Sequence, residues 1–404
     1  MDSLPLQGVR IVDLTHAWSG PHCTRILADF GAEVIVVEYP RRLGLFRGGR
    51  TEDQSYNRQP VWHQINRNKC SVTLDLNRGE DRAVFMDLVG VADVIVENGR
   101  TGVMDRLSLA YQDLVAVKPD LIMLSMPAYG GTGPYASYPA YGAAIEVMSG
   151  IQNLTGYGPD DAPQRFREMD VVNGVGGACA VMTALLHRQR TGEGQHIDFS
   201  QMELPTHALI GEHLLEFVMN GVHAPPLGNR HRWFAPQGCY RCKGDDRWIT
   251  ITVRSEEDWK RFCEALGHPE WTTDARFANR SARAENHDEL DRLIEEWTLE
   301  RTNYAAMDVL QKHGIAAGAV LDVADISADP HLQARHYFET GVHGSERPFM
   351  GVPFKLSRAP GSVRRRGPDL GEHNEYVVCE RLGRSKDDVR AVKEGDLGTA
   401  YDPD

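Results

Sequence analysis

The residues most suggestive of chemistry lie between Arg165 and Glu203, in RFREMDVVNGVGGACAVMTALLHRQRTGEGQHIDFSQME. Asp170 opens the run, and Gly174, Gly176 and Gly177 follow it. Val175, Cys179, Met182 and Leu186 recur at helical spacing and share one helix face. The glycines cluster at the start of that helix, where helix propensity would not select them. Glycine there lets another backbone or a ligand come close. Asp170 is therefore expected on the loop feeding a helix N-terminus, where free amide donors and the helix dipole favour negative charge. An ordinary acidic residue at a helix start has the same rationale, so its role rests on what accompanies it.

Other chemistry-bearing groups are weaker. Cys239-Tyr240-Arg241-Cys242 is a C-x-x-C without a second pair. Two cysteines in a sheet explain it more simply than a zinc site with His231. Glu38 ends a strand as the ribose-binding acid of dinucleotide folds does, but the first turn holds only Gly20 where that fingerprint needs G-x-G-x-x-G. No nicotinamide cofactor is expected.

These residues sit in an alternating pattern. Val9–Leu14 and Glu33–Glu38 read as strands around a helix from His22 to Phe30, which is a right-handed βαβ unit. Strands are expected again at Ser71–Leu76, Asp93–Glu97, Leu121–Met126 and Gln195–Phe199, with helices at Gly79–Val89 and from Val103. The fold class is α/β, a doubly wound, mostly parallel Rossmann-like sheet whose ligands bind beyond the strands' carboxyl ends. The loops there are His16–Pro21, Tyr39–Arg50, Asn98–Gly102 and Pro127–Pro134. Three carry arginine or several glycines, as a phosphate-bearing ligand would want. Residues 39–60 read as a long surface loop. Residues 1–205 form the first part of this large domain, 206–224 a connecting helix, 225–325 a smaller α+β domain, and 326–404 a return segment. In the smaller domain two strands flank the turn at Lys243–Asp246, and helices are expected at Glu256–Leu266, Arg283–Trp297 and Asn303–His313.

The chain has 404 residues, 41% hydrophobic and 25% charged, as in ordinary soluble globular proteins. A formal charge of −13 argues against non-specific nucleic-acid binding. No apolar run approaches a membrane span, and MDSLPLQGVR lacks a signal pattern. Seven cysteines, odd and sparse, suit a reducing cytoplasm.

Taken together, several short motifs resemble the class III CoA-transferases, which include formyl-CoA and carnitine CoA-transferases and have α-methylacyl-CoA racemase as a relative. They are Leu6-Gln7-Gly8-Val9-Arg10, Ser19-Gly20-Pro21 with Leu27 to Ile35, and Asn66-Arg67-Asn68-Lys69. Val96-Glu97-Asn98 with Asp105-Arg106-Leu107, Tyr129 to Pro134, Arg190 to Gln195 and Gly371-Glu372-His373-Asn374 complete the set. Their order spans nearly the whole chain. The resemblance implies that Asp170 is a nucleophile and that acyl-CoA and a free carboxylic acid are the substrates, with no metal. It places CoA contacts on Ala17, Trp18, Asn66, Arg67, Asn68, Lys69, Asn98, Gly99, Arg100 and Arg106. It also implies an interlocked homodimer.

The chain departs from the family at Val36, where a lysine is usual, and at Tyr39, where formyl-CoA transferase has arginine; Arg41, Arg42 and Arg47 are nearby substitutes. Ala140-Tyr141-Gly142 replaces the racemases' Gly-His-Asp, and a neutral tyrosine is a poor base near neutral pH. Gly228–Trp233 lacks the glycine run of formyl-CoA transferase, which argues against an oxalate–formate pair. Gly130 and Gly131 are oxyanion candidates, and Arg230, His231 and Arg232 are candidates for holding the acid or CoA phosphates. Racemase and a catalytically silent CoA-binding protein are the alternatives.

Overall fold

The structure, a computed structural model, describes residues 4–48, 54–158, 161–166 and 168–389. Two compact units emerge. The first comprises Met1–Ile151, Arg165–Gly221 and Gln333–Asp404; the second comprises Gln152–Gln164 and Val222–Leu332.

In the first unit six strands form one parallel sheet: β1 (Arg10–Asp13), β2 (Glu33–Glu38), β3 (Cys70–Thr73), β4 (Val94–Glu97), β5 (Ile122–Ser125) and β6 (His196–Asp198). Their spatial order is β3-β2-β1-β4-β5-β6. The order in which strands are added reverses between the parallel neighbours β1 and β4, which opens a crevice at the carboxyl ends of those two strands. Successive side chains point to opposite faces. Val12, Ile35 and Ile95 join one buried cluster with Phe85 and Leu88. Ile11, Val34, Val94 and Val96 join another with Leu27, Ala178 and Val181. Helices therefore cover both faces, as an all-parallel sheet requires.

The first helix begins at Ser19 rather than His22 and runs Ser19–Asp29, with Leu27 buried. It packs along the helix Met169–Thr191. That second helix is long and apolar enough, by length and composition alone, to cross a membrane. This corrects the reading that no run approaches a span: glycines and alanines count as apolar there, and only Asp170, Arg188 and Arg190 carry charge.

The second unit holds an antiparallel sheet, β7 (Gln237–Arg241), β8 (Trp248–Thr252) and β9 (Ala316–Ala319), in the order β7-β8-β9. Trp259, Phe262, Phe277 and Ile294 fill its core. Strand β9, AAGA, was not expected, because alanine and glycine carry little strand propensity. The helix expected over Arg283–Trp297 is two, Arg280–Glu285 and His287–Leu299, which meet at Asn286.

Candidate active site

Asp170 is the second residue of the helix Met169–Thr191, within its first turn rather than on the preceding loop. The dipole argument survives that correction, since the first turn still carries the helix's free amides. The side chain is partly buried. Burial pushes its carboxyl above the usual aspartate range, while Arg165 pulls it down. Arg165 itself stands 3.6 Å from the buried Glu146, and the Phe166 N–H donates to the same carboxylate. The segment entering the helix is thus tied to the helix Gly142–Met148. Arg167, in the same run, lies outside the described residues.

Gly142, the first residue of that shorter helix, lies directly on the Asp170 carboxylate. A Cβ at position 142 would stand 2.9 Å from Oδ2, closer than such atoms approach, and 3.5 Å from Oδ1. Bare backbone therefore faces the reactive oxygens. The sequence marks Gly142 only as the end of Ala140-Tyr141-Gly142; its contact with Asp170 joins residues 28 positions apart and is not legible there.

The glycines after Asp170 serve packing rather than a ligand. A Cβ on Gly174 would meet His22 at 2.5 Å, and one on Gly177 would meet Met126 at 3.0 Å and Cys23 at 3.2 Å. One on Gly176 would meet Leu204 at 2.3 Å. The missing side chains let the helix Ser19–Asp29 approach and so fix the angle at which Asp170 is presented. His22 is driven to a pKa of about 3 by burial first, then by Arg25, so it is neutral there.

The loop after β1 is held from three sides. Asn98 accepts from the His16 N–H at 2.7 Å and donates to the His16 carbonyl at 2.8 Å. Ala17 follows with φ of 57°, a left-handed backbone that a non-glycine residue adopts only when its surroundings impose it. Beneath, the buried Asp13 accepts from Thr15, Thr24 and Lys69. Lys69 also donates to the Pro21 carbonyl and to Asn66. Ala17, Val36, Tyr39, Arg42, Trp62 and Asn66 line one narrow crevice here. Trp18 sits beside it with its ring edge-on to Phe46.

This geometry divides the run Asn66–Lys69. Asn66 lines the crevice, and its Nδ2 has no acceptor among the described residues. Arg67 is buried against Asp29 at 2.7 Å, and Lys69 against Asp13 at 3.0 Å. Their charges are engaged inside the protein, unlike the open Asn66 amide among the residues expected to contact CoA. Asn68 donates to Asp29 and Ser362, and lies by the sheet's amino end. Of the substitutes for Tyr39, Arg47 is buried, ion-paired to Glu38 and stacked on Trp62. Arg42 lines the crevice, and Arg41 is exposed. Glu38, so engaged, has no ribose-binding role.

After β4, the Gly99 N–H donates to Glu97 at 2.8 Å. Arg100 and Arg106 are exposed. After β5, the Gly131 N–H donates to Asp198 at 2.8 Å, and Thr101 donates to the Gly130 carbonyl. The Gly131 amide expected to serve an oxyanion is thus engaged by Asp198, which lies 67 residues on in the sequence. In the second unit Arg230 is paired with Asp288 and Asp291. His231 stacks on Phe234, and Arg232 lies over the Trp233 ring. No group of three or more metal-ligating side chains is found among the described residues. Cys239 lies in β7, and burial raises the Cys242 thiol to about 11.

The family described as CoA-transferase family III matches residues 6–374. The chain is 35% identical to succinyl-CoA–D-citramalate CoA-transferase of Chloroflexus aurantiacus over 96% of its length and 97% of the relative's. It is 36% identical to acetyl-CoA:oxalate CoA-transferase of Acetobacter aceti, covering 93% and 95% respectively. A CAIB/BAIF family protein from Brucella suis has the same fold, with a TM-score of 0.84, 32% identity, and 94% and 99% of the two chains covered.

Proposed function

The chain belongs to CoA-transferase family III, and from that premise we propose that Asp170 is the nucleophile that carries CoA from an acyl-CoA to a free carboxylic acid. Exchange of one thioester for another needs no ATP. A free carboxylate is a weak nucleophile in water, and one held against the thioester loses much of the entropic barrier.

Asp170 attacks the donor thioester carbonyl, and the C–S bond breaks to release CoA thiolate. The product is a mixed anhydride of Asp170 and the donor acyl group. The thiolate attacks the aspartyl carbonyl and frees the donor acid, leaving an aspartyl-CoA thioester. The acceptor carboxylate attacks that thioester and expels the thiolate. The thiolate then attacks the acceptor's carbonyl in the new anhydride, so acceptor acyl-CoA departs and the Asp170 carboxylate is restored. Division of one difficult step into several easier ones is the logic of covalent catalysis.

The observation that carries this reading is the Asp170 carboxylate itself, partly buried in a helix's first turn and faced by the bare backbone of Gly142. Partial burial limits water, which the anhydride and thioester both require. The crevice at Ala17, Arg42 and Asn66, with Trp18, Asn98, Gly99, Arg100 and Arg106 around its loops, is our assignment for CoA. In the second unit Arg232, which has no ion-paired carboxylate among the described residues, is a better candidate than Arg230 for binding a carboxylate. Two relatives are named for the dicarboxylic acids D-citramalate and oxalate, and we assign the acceptor to that class. A screen of succinyl-, acetyl- and formyl-CoA against labelled mono- and dicarboxylic acids tests it. Label should enter acyl-CoA from a dicarboxylic acid in the native enzyme and not in Asp170→Asn. Transfer confined to monocarboxylic acids contradicts the acceptor class, and native-rate transfer by the variant contradicts the nucleophile.

The first unit also leaves much apolar surface open. Val175, Met182 and Leu186 are 53%, 43% and 47% exposed, and Leu215, Val218 and Met219 on the helix Glu203–Asn220 are 60–77% exposed. Surface of this kind marks protein–protein contact, so we assign it to a second copy in a cytoplasmic homodimer.

A further inference from the structure

The chain as a whole is acidic, yet one cleft is not. It has a volume of about 670 Å³ and lies at the amino ends of β1 and β2, across the sheet from the turn at Ala17. Arg10, Arg364, Arg365 and Arg381 line it, and Glu33 is the one carboxylate among its lining residues. Glu33 is already shared. It pairs with Arg10 and Arg381, both at 2.7 Å, and accepts from the Tyr376 hydroxyl.

The other two arginines have neutral partners. Arg364 donates to the carbonyls of Ala28, Asp29 and Ser362. Arg365 donates to the Asn68 carbonyl and the Cys70 sulfur and meets His373 Nε2 at 3.4 Å. Neither has an ion-paired carboxylate among the described residues. Burial lowers the Arg364 pKa, Asp29 behind it opposes that, and the like charge of Arg365 adds to the lowering while Glu339 offsets part of it. Burial and then Arg365 also hold His373 below its ordinary value. Among the lining residues one carboxylate thus accompanies four guanidinium groups, in a space of ligand size, roughly 300–1,000 Å³ in known sites.

We infer that this cleft binds a small, multiply charged oxyanion, at a site separate from the one that holds Asp170. Guanidinium forks match phosphate and carboxylate oxygens in pairs. A solvated basic turn would leave the arginines pointing apart; here a βα edge, the Arg364–Arg365 loop and the helical turn bearing Arg381 converge on one space. The Arg364 side chain grips the last carbonyls of the helix Ser19–Asp29, so an occupant would bear on the helix that packs against the Asp170 helix.

Calorimetric titration of the full-length protein at low salt tests the inference, with pyrophosphate and citrate as separate probes. At least one should bind, and which one binds separates phosphate from carboxylate chemistry. Affinity should fall tenfold or more in the Arg364→Gln/Arg365→Gln double variant. It should also fall several-fold in Gln7→Glu, which adds a carboxylate at an exposed lining position without removing a contact. Binding should persist in saturating CoA. No heat from either probe up to millimolar concentration overturns the proposal. So does binding that Gln7→Glu leaves unchanged, or that CoA abolishes. Should the double variant fail to fold, Gln7→Glu and the CoA competition decide alone.

Discussion

The carboxylate of Asp170 is asked to be a nucleophile in a partly desolvated place, and its protonation follows from that. A raised pKa means that the folded state holds the proton more tightly than the unfolded chain. Above the folded pKa both states are ionised, and burial of the charge costs stability. Below the unfolded value both are neutral and that cost is gone. Asp170→Asn should therefore raise Tm at pH 7, with the advantage fading as pH falls through the folded carboxyl pKa. The same variant should lose turnover by on the order of 10³-fold or more. In the native enzyme the acid limb of kcat/KM should lie above the pH expected of an ordinary aspartate, near 3.9; a limb at or below that value contradicts the assignment. Gly142→Ala tests the contact that no motif disclosed. Its methyl would displace the carboxylate, and a misplacement near 1 Å costs about 100-fold in kcat, while circular dichroism and Tm should change little.

At the scale of elements, the packing of two helices sets the site. Gly174→Ala gains about 1 kcal/mol of helix propensity, but its methyl would meet His22 Cβ at 2.8 Å. That atom cannot swing away, so overpacking of about 1–3 kcal/mol wins, and urea denaturation should show a net loss. Asn98→Ala removes both bonds that hold the His16 peptide, which together contribute about 1–3 kcal/mol. KM for acyl-CoA should rise about tenfold with kcat little changed. The order of strands and helices was legible in the sequence because buried parallel strands are short β-branched runs and their helices keep a 3.6 period. Strand β9 was not, since its pairing with β8 is a tertiary fact. The glycine cluster alone suggests room for a ligand, and in the structure the side chains of His22, Cys23 and Leu204 occupy that room. Arg67 and Lys69 likewise look available from their types alone, but Asp29 and Asp13, 38 and 56 residues away, lie beside them.

For the whole molecule, the apolar stripe Val175, Met182 and Leu186 had the right period for a core but faces outward in the single chain. A sequence cannot distinguish a face buried within a chain from one buried between chains. Sedimentation should give a dimer for the native protein and a smaller species for Met182→Lys/Leu186→Asp; a native monomer contradicts the assignment of that stripe. The chemistry of the assembled enzyme leaves a covalent record. Incubation with an active acyl-CoA donor and hydroxylamine, followed by peptide mass spectrometry, should place the trapped acyl derivative on the peptide that contains Asp170. Turnover with no modification there, or modification of a different carboxylate, would contradict the account.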